Sequence, residues 1–197
     1  DVTKLERQIA KEVSFLTVYG GTAFTLAAKR NIPEQRAEEI INSWLKAFPG
    51  VSRYMDNVQE YIEQFKYAKT IFGRRRNLPN IDSPFKGVRR EAFRQGLNFT
   101  IQSAASDILL CGMLGVIEKL KGMEAKVVAT VHDSIELIAP KAETRRVVEL
   151  VKDELENYHY MRENFNIELK VPLGVDVEVG TSFGMVVSTI FNEPSNP

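Results

Sequence analysis

The sequence predicts an α+β protein, helical over its first two-thirds and closed by a small antiparallel sheet. Three observations carry this reading. Apolar residues recur at three- and four-residue steps from the N-terminus to about Lys121, the period of amphipathic helices. Two β-type runs, KVVATV and SIELIA, then flank His132-Asp133 as the arms of a hairpin do. Last, KVPLGVDVEVG alternates Val171, Leu173, Val175, Val177 and Val179 with a period of two, the pattern of a half-buried strand.

Taken in order, RQIAKEVSFLTVYGG (residues 7–21) has helical spacing and ends at a glycine pair. Residues 22–30 read as a short helix closed by Asn31-Ile32-Pro33. PEQRAEEIINSWLKAF starts with a proline suited to a first helical turn and carries Ala37, Ile40, Ile41, Trp44, Leu45 and Phe48 as its apolar face. Pro49-Gly50 marks a break, after which residues 51–67 are helical again around Tyr54, Val58, Tyr61, Ile62 and Phe65. Glycine, prolines and NIDSP make residues 70–87 an irregular connection with room for a short hairpin. Residues 89–121 form a long helix, with a bend or division expected near Asn98. The hairpin follows, then an amphipathic helix over residues 141–158, then the alternating strand.

Composition narrows the class. At 197 residues the chain can build one substantial core or two small ones. Its single cysteine, Cys111, excludes an internal disulfide and suits a reducing compartment. The most apolar run, residues 108–117, is shorter than the ~20 residues of a membrane span, so a soluble, cytoplasmic protein is expected. Net charge is zero, but residues 1–100 hold 17 Lys/Arg against 11 Asp/Glu, a net of +6, and the remainder holds 9 against 15. Between Lys66 and Arg94 nine basic residues meet two acidic ones. Such asymmetry points to a half that binds a polyanion.

Three constellations carry chemistry. Arg7, Lys11, Phe15 and Tyr19 recur at every fourth residue, so they stay on one broad helix face over ~18 Å. Two cations toward the helix N-terminus and two aromatics toward Gly20-Gly21 match a ligand with phosphates at one end and a flat base at the other. The same row also fits a solvated amphipathic face. In RQGLNFTIQSAASD, Arg94, Asn98 and Gln102 form a second four-residue line. Its amides can donate to minor-groove acceptors, which all base pairs present nearly alike, or can satisfy buried backbone groups. TVHDSIEL sets His132 and Asp133 at a hairpin tip, where Asp is either ordinary turn chemistry or a rigidly held metal-binding carboxylate.

Together and in this order, these stretches resemble the C-terminal polymerase region of family A DNA polymerases, the bacterial DNA polymerase I type. R-QIA-K-EVS-F-LTV-YG resembles motif B of the fingers, and TIFGRRRNLPNI the family's Gly-Arg-Arg-Arg segment. RQGLNFTIQSAASDIL is similar to its Arg-Asn-Gln helix, VHDSIELIAP to motif C, and VPLGVDVEVGTSF to the closing strand. The resemblance implies a mostly helical fingers portion over residues 1–87 and a partial palm over residues 88–197, whose sheet combines the motif C hairpin with the C-terminal strand. It further implies that Arg7 and Lys11 grip the triphosphate of an incoming dNTP in a catalytic role. Phe15 would pack near its sugar and base, and Tyr19, followed by Gly20, would stand at the templating-base position. Arg75, Arg76, Arg94, Asn98, Gln102 and His132 would contact primer–template DNA. Asp133 would be a catalytic ligand of two Mg2+ ions.

Departures from the family pattern are visible too. Ser134 stands where a Glu usually follows the motif C Asp, with Glu136 a substitute within reach, and Phe183 stands where Trp is common. The resemblance begins at motif B. Motif A, with the other essential carboxylate, is therefore expected from an upstream polymerase segment, in the same chain or a separate subunit, and this chain alone is expected to be inactive. The setting implied is the cytoplasm, a bacterial nucleoid or phage-infected cell, with an organelle as the alternative, and replication or repair the process. Two rivals remain at this point: a non-catalytic DNA-binding or assembly subunit derived from such an enzyme, and a metal phosphohydrolase built on His132-Asp133. With only two histidines, the chain is poor in ligands for the second.

Overall fold

The computed structural model describes residues 3–189, with the side chains of Leu5, Glu6 and residues 185–189 left aside. The fold is α+β, as expected: seven helices and three two-stranded antiparallel sheets among the described residues. The chain divides into two compact units at residues 104 and 105.

In the first unit, α1 (Lys4–Val18), α2 (Ala23–Arg30) and α3 (Glu34–Ala47) bury a small core of Val13, Leu26 and Ala37, lined by Leu16, Ile40 and Trp44. Thr22 caps α2 by accepting from the Thr25 N–H, and Asn31 closes it in the left-handed region, a role its short amide side chain tolerates. The Trp44 indole N–H donates to Ser14 Oγ at 2.9 Å and ties α3 to α1. Next, α4 (Pro49–Phe65) begins at Pro49 itself. Proline tolerates a first helical position, where its missing N–H has no intrahelical acceptor anyway. The anticipated hairpin is β1 (Tyr67–Lys69) with β2 (Arg75–Asn77), followed by a 3-10 turn at Pro79–Asp82. Ile62, Ala68, Leu78, Ile81 and Ala92 form the core beneath it.

The unit boundary falls within α5 (Lys86–Lys119), one helix of 34 residues. The helix is continuous through Asn98, so of the bend or division expected there the division does not occur. The helix is also long and apolar enough, by length and composition, to cross a membrane. That differs from the sequence reading, which weighed only the uninterrupted apolar run. A core helix of a water-exposed domain meets the same criterion, and Asn98, Gln102 and Asp107 interrupt this one.

The second unit packs the end of α5 against α6 (Thr144–Asn157) and the hairpin of β3 (Lys126–Val131) and β4 (Ser134–Ile138). Val116, Leu120, Ala125, Val147 and Val151 are its core. Gly115 is required here: a Cβ at that position would collide with the carboxylate of Glu154, a side chain only 1% exposed. Glu154 is matched by Lys119 Nζ at 3.0 Å and the Tyr160 N–H at 2.9 Å, as burial of a charge demands.

The alternating segment departs from expectation. Residues 171–177 form no strand; β5 spans Glu178–Ser182 and, among the described residues, pairs only with β6 (Met185–Thr189). The hairpin and the C-terminal strand thus lie in separate sheets. Among the described residues no strand backs 171–177, and two of its backbone donors are taken by side chains of α6 and its cap. The Leu173 N–H donates to the Tyr158 hydroxyl at 2.8 Å, and the Val175 N–H to Glu156 Oε1 at 3.2 Å. The connection after α6 contains α7 (His159–Phe165), set off by Tyr158 and Asn166, both left-handed.

Candidate functional site

The four-residue row is a physical continuum along the second half of α1. Lys11 Nζ sits 5.7 Å from the Phe15 ring centroid, within cation–π range. Phe15 in turn stacks on Tyr19, with centroids 5.9 Å apart and planes at 13°. Arg7 and Lys11 are exposed, and Phe15 is about half exposed at 48%. A flat, polyanionic ligand would therefore find an open aromatic edge next to an exposed ammonium.

Termination of α1 supplies the next feature. Tyr19 lies one residue beyond the helix, and the backbone reverses through Gly20, whose φ is +70°. This is a conformation that glycine adopts without the penalty a Cβ brings. Gly20 N–H bonds to Thr17 O and Gly21 N–H to Leu16 O, which closes the helix end. A Cβ at Gly20 would also press on the Arg94 stem at 3.4 Å. The aromatic end of the row thus abuts the polar line of α5.

That meeting is sealed by one hydrogen bond: Gln102 Nε2 donates to the Tyr19 hydroxyl at 2.8 Å. Two motifs 83 residues apart, singled out independently in the sequence, are in direct contact. Gln102 serves a phenol here, not a backbone group. The Asn98 amide oxygen is buried and has no hydrogen-bond partner among the described residues, and such a group is costly unless something else satisfies it. Arg94 pairs with Glu91 at 2.6 Å.

The β1–β2 hairpin contributes exposed cations. Arg75 lies 4.8 Å over the Tyr67 ring, and Arg76 Nη2 donates to Gln95 Oε1 at 3.3 Å. Ten of the twelve sequence-predicted residues, Arg7, Lys11, Phe15, Tyr19, Gly20, Arg75, Arg76, Arg94, Asn98 and Gln102, belong to the first unit. His132 and Asp133 belong to the second, as the two-residue tip between the paired Val131 and Ser134. His132 has φ of 56°, the left-handed conformation a tight hairpin asks of a turn residue. Both tip side chains are exposed. Behind them, Ser134 Oγ lies 2.8 Å from Glu136 Oε1 and 3.0 Å from Val131 O.

Among the described residues no three His, Cys, Asp or Glu side chains gather as a metal site. Asp133 has the chemistry of one ligand to a hard cation, a free oxygen donor on a paired hairpin, but it does not make a site alone. Glu91 and Gln95 escaped the sequence reading. Their spacing from Arg94 in REAFRQ, three residues before and one after, was the available signal.

Known proteins match nearly the whole chain. The model of DNA polymerase family A matches residues 1–185. DNA polymerase I of Bacillus caldotenax is 37% identical over 185 residues, covering 93% of this chain and 20% of that protein. The thermostable DNA polymerase I of Thermus aquaticus is 32% identical over 179 residues, covering 91% and 21%. This chain therefore spans about a fifth of the length of the curated relatives it matches. Among solved structures, the POL domain of Pol1 from M. smegmatis, in complex with DNA primer-template and dNTP, superimposes with a TM-score of 0.79 at 30% identity, covering 88% of this chain and 30% of that one. On motifs, fold and sequence alike, the chain belongs to DNA polymerase family A.

Proposed function

We propose that this chain is the nucleotide-selecting and primer-contacting part of a template-directed DNA polymerase, which transfers a nucleotide from dNTP to a primer 3′-hydroxyl. The observation that carries the reading is the Tyr19–Gln102 hydrogen bond, which joins a phosphate-and-base row to a minor-groove line within one unit. A solved relative holding both primer-template and dNTP supports the same reading.

In this reading residues 1–87 do the work of fingers and residues 88–197 that of a partial palm. Arg7 and Lys11 neutralise the triphosphate, and Phe15 packs on the sugar. Tyr19 occupies the templating position until a base replaces it, and that exchange requires Gln102 to release the phenol. Gln102, Asn98 and Arg94 then follow the minor groove and backbone near the primer end, while Arg75 and Arg76 hold phosphates farther along. Asp133 supplies one carboxylate for Mg2+, the remaining ligands coming from an upstream polymerase segment in the same chain or another subunit. When bound, magnesium would lower the pKa of the primer hydroxyl and stabilise the leaving pyrophosphate. The reading sets the protein beside DNA in a bacterial or phage-infected cytoplasm.

Two variants of the complete polymerase test this. Lys11→Ala should raise KM for dNTP while sparing primer–template affinity, and Gln102→Ala should do the reverse. If each variant matches the parent in both quantities, the assignment is wrong.

A further inference from the structure

Glu91 and Gln95 stand one turn apart on α5, and hydrogen bonds join them to two cations from different elements. Arg94 directs Nε and Nη2 at Glu91 Oε2, at 2.9 and 2.6 Å. The other oxygen, Glu91 Oε1, accepts from Gln95 Nε2 at 3.0 Å. Gln95 Oε1 then accepts from Arg76 Nη2, of β2, at 3.3 Å. One carboxylate thus orders Arg94 directly and Arg76 through an amide whose donor and acceptor ends are both in use. The hydrogen bond from Gln95, and then that from Arg94, hold the Glu91 carboxyl below the usual carboxylate range. It is ionised at neutral pH.

By charge alone this arrangement is unfavourable for DNA binding, since an anion between two cations weakens their pull on a polyanion. A guanidinium on a long stem, however, has many rotamers to lose on meeting a phosphate, and ordering it beforehand lowers that cost. We propose that Glu91 and Gln95 are positioning residues, which pre-set Arg94 and Arg76 for the sugar–phosphate backbone of primer–template DNA. This rests on the DNA-interface reading above.

The test is equilibrium binding of a fluorescent primer–template by the complete polymerase across a salt series. Glu91→Gln keeps the side chain's size and adds one positive charge, so a spectator carboxylate predicts tighter binding. A positioning carboxylate predicts the opposite sign: binding weaker by about 2- to 10-fold, the worth of ordering one rotamer-rich side chain. The slope of log K against log salt should also become shallower by about 0.9 for a lost phosphate contact. Gln95→Ala should weaken binding in the parent and have no further effect once Arg76→Ala is present. Because all four side chains lie at the surface of the unit, unchanged circular dichroism and melting verify that the variants fold. Equal or tighter binding by Glu91→Gln, or simple additivity of Gln95→Ala with Arg76→Ala, overturns the proposal and leaves the DNA interface standing. If Arg76→Ala and Arg94→Ala themselves leave binding unchanged, the interface reading falls and the proposal with it.

Discussion

Phe15 presents a half-exposed ring between the Lys11 ammonium and the Tyr19 ring, with no polar atom of its own to offer a sugar. The 3′-hydroxyl of a normal dNTP can bond to its own phosphate and help hold the triphosphate geometry. A dideoxynucleotide lacks that group, and a tyrosine hydroxyl at position 15 would replace the lost contact. A polar group left unmatched in a closed site costs roughly 1–3 kcal/mol, about 5- to 150-fold in rate. In the complete polymerase, Phe15→Tyr should therefore raise kcat/KM for ddNTPs within that range and change dNTP use little. Equal ddNTP/dNTP ratios in both enzymes would mean that Phe15 does not face the sugar. A different chemistry governs Asp153, where the hydrogen bond from Lys119, aided by Asn157 and His159, holds the carboxyl down at about 2. Unfolding returns it to the ordinary 3.8, so between these values the unfolded chain binds more protons and stability rises with pH. The contribution is complete above about pH 4 and is lost as pH falls through about 2. Urea midpoints across that window should drop in the parent, and Asp153→Asn should flatten this part of the profile.

At the level of elements, what the sequence disclosed depends on where each element finds its partner. The α1 row was legible because helical geometry alone puts i and i+4 side chains together, and the Lys11–Phe15–Tyr19 contacts follow that spacing. The β3–β4 hairpin was legible because its two strands are neighbours in sequence and pair across a two-residue tip. Residues 171–177 have the right alternation for a strand, yet alternation states only which face is apolar, never which backbone lies alongside. With no strand beside it among the described residues, the segment bonds instead to Tyr158 and Glu156. The Tyr19–Gln102 bond was likewise unreadable, since no local pattern encodes a contact across 83 residues. The 171–177 arrangement has a direct consequence. Tyr158→Phe removes the acceptor of the Leu173 N–H and leaves the packing of the ring, and one such bond is worth about 0.5–1.5 kcal/mol. Amide exchange at Leu173 should accelerate about 2- to 12-fold, by the same energies converted at 1.4 kcal/mol per tenfold. Distant amides in α5 should not respond. Unchanged exchange at Leu173 would mean that the phenol does not hold this segment.

For the molecule as a whole, the decisive deficit is at the second unit's hairpin. Asp133 is the carboxylate at the tip, and no cluster of three ligating side chains surrounds it among the described residues. Two divalent ions cannot be held by one exposed aspartate, because each needs several oxygen donors in a fixed shell. The same hairpin is bare in another respect. Among the described residues β3 and β4 pair only with one another, and Val128, Val131 and Ile138 are exposed along them. Open strand edges beside exposed apolar side chains are templates for further pairing, so a paired strand that brings a carboxylate would answer both deficits. The 197-residue chain, purified alone, should then fail to extend a primer and should self-associate, its sedimentation coefficient rising with concentration. On the proposed function, adding a polymerase segment that carries motif A should confer template-directed incorporation and suppress that association together. Asp133→Asn should abolish the conferred incorporation while leaving the assembly intact, since an amide keeps the hairpin tip and loses the anionic ligand. Incorporation by the isolated chain, itself abolished by Asp133→Asn, would show that its own residues complete the metal site. Assembly that binds DNA but never incorporates dNTP would instead favour a subunit that has kept the interface and lost the chemistry.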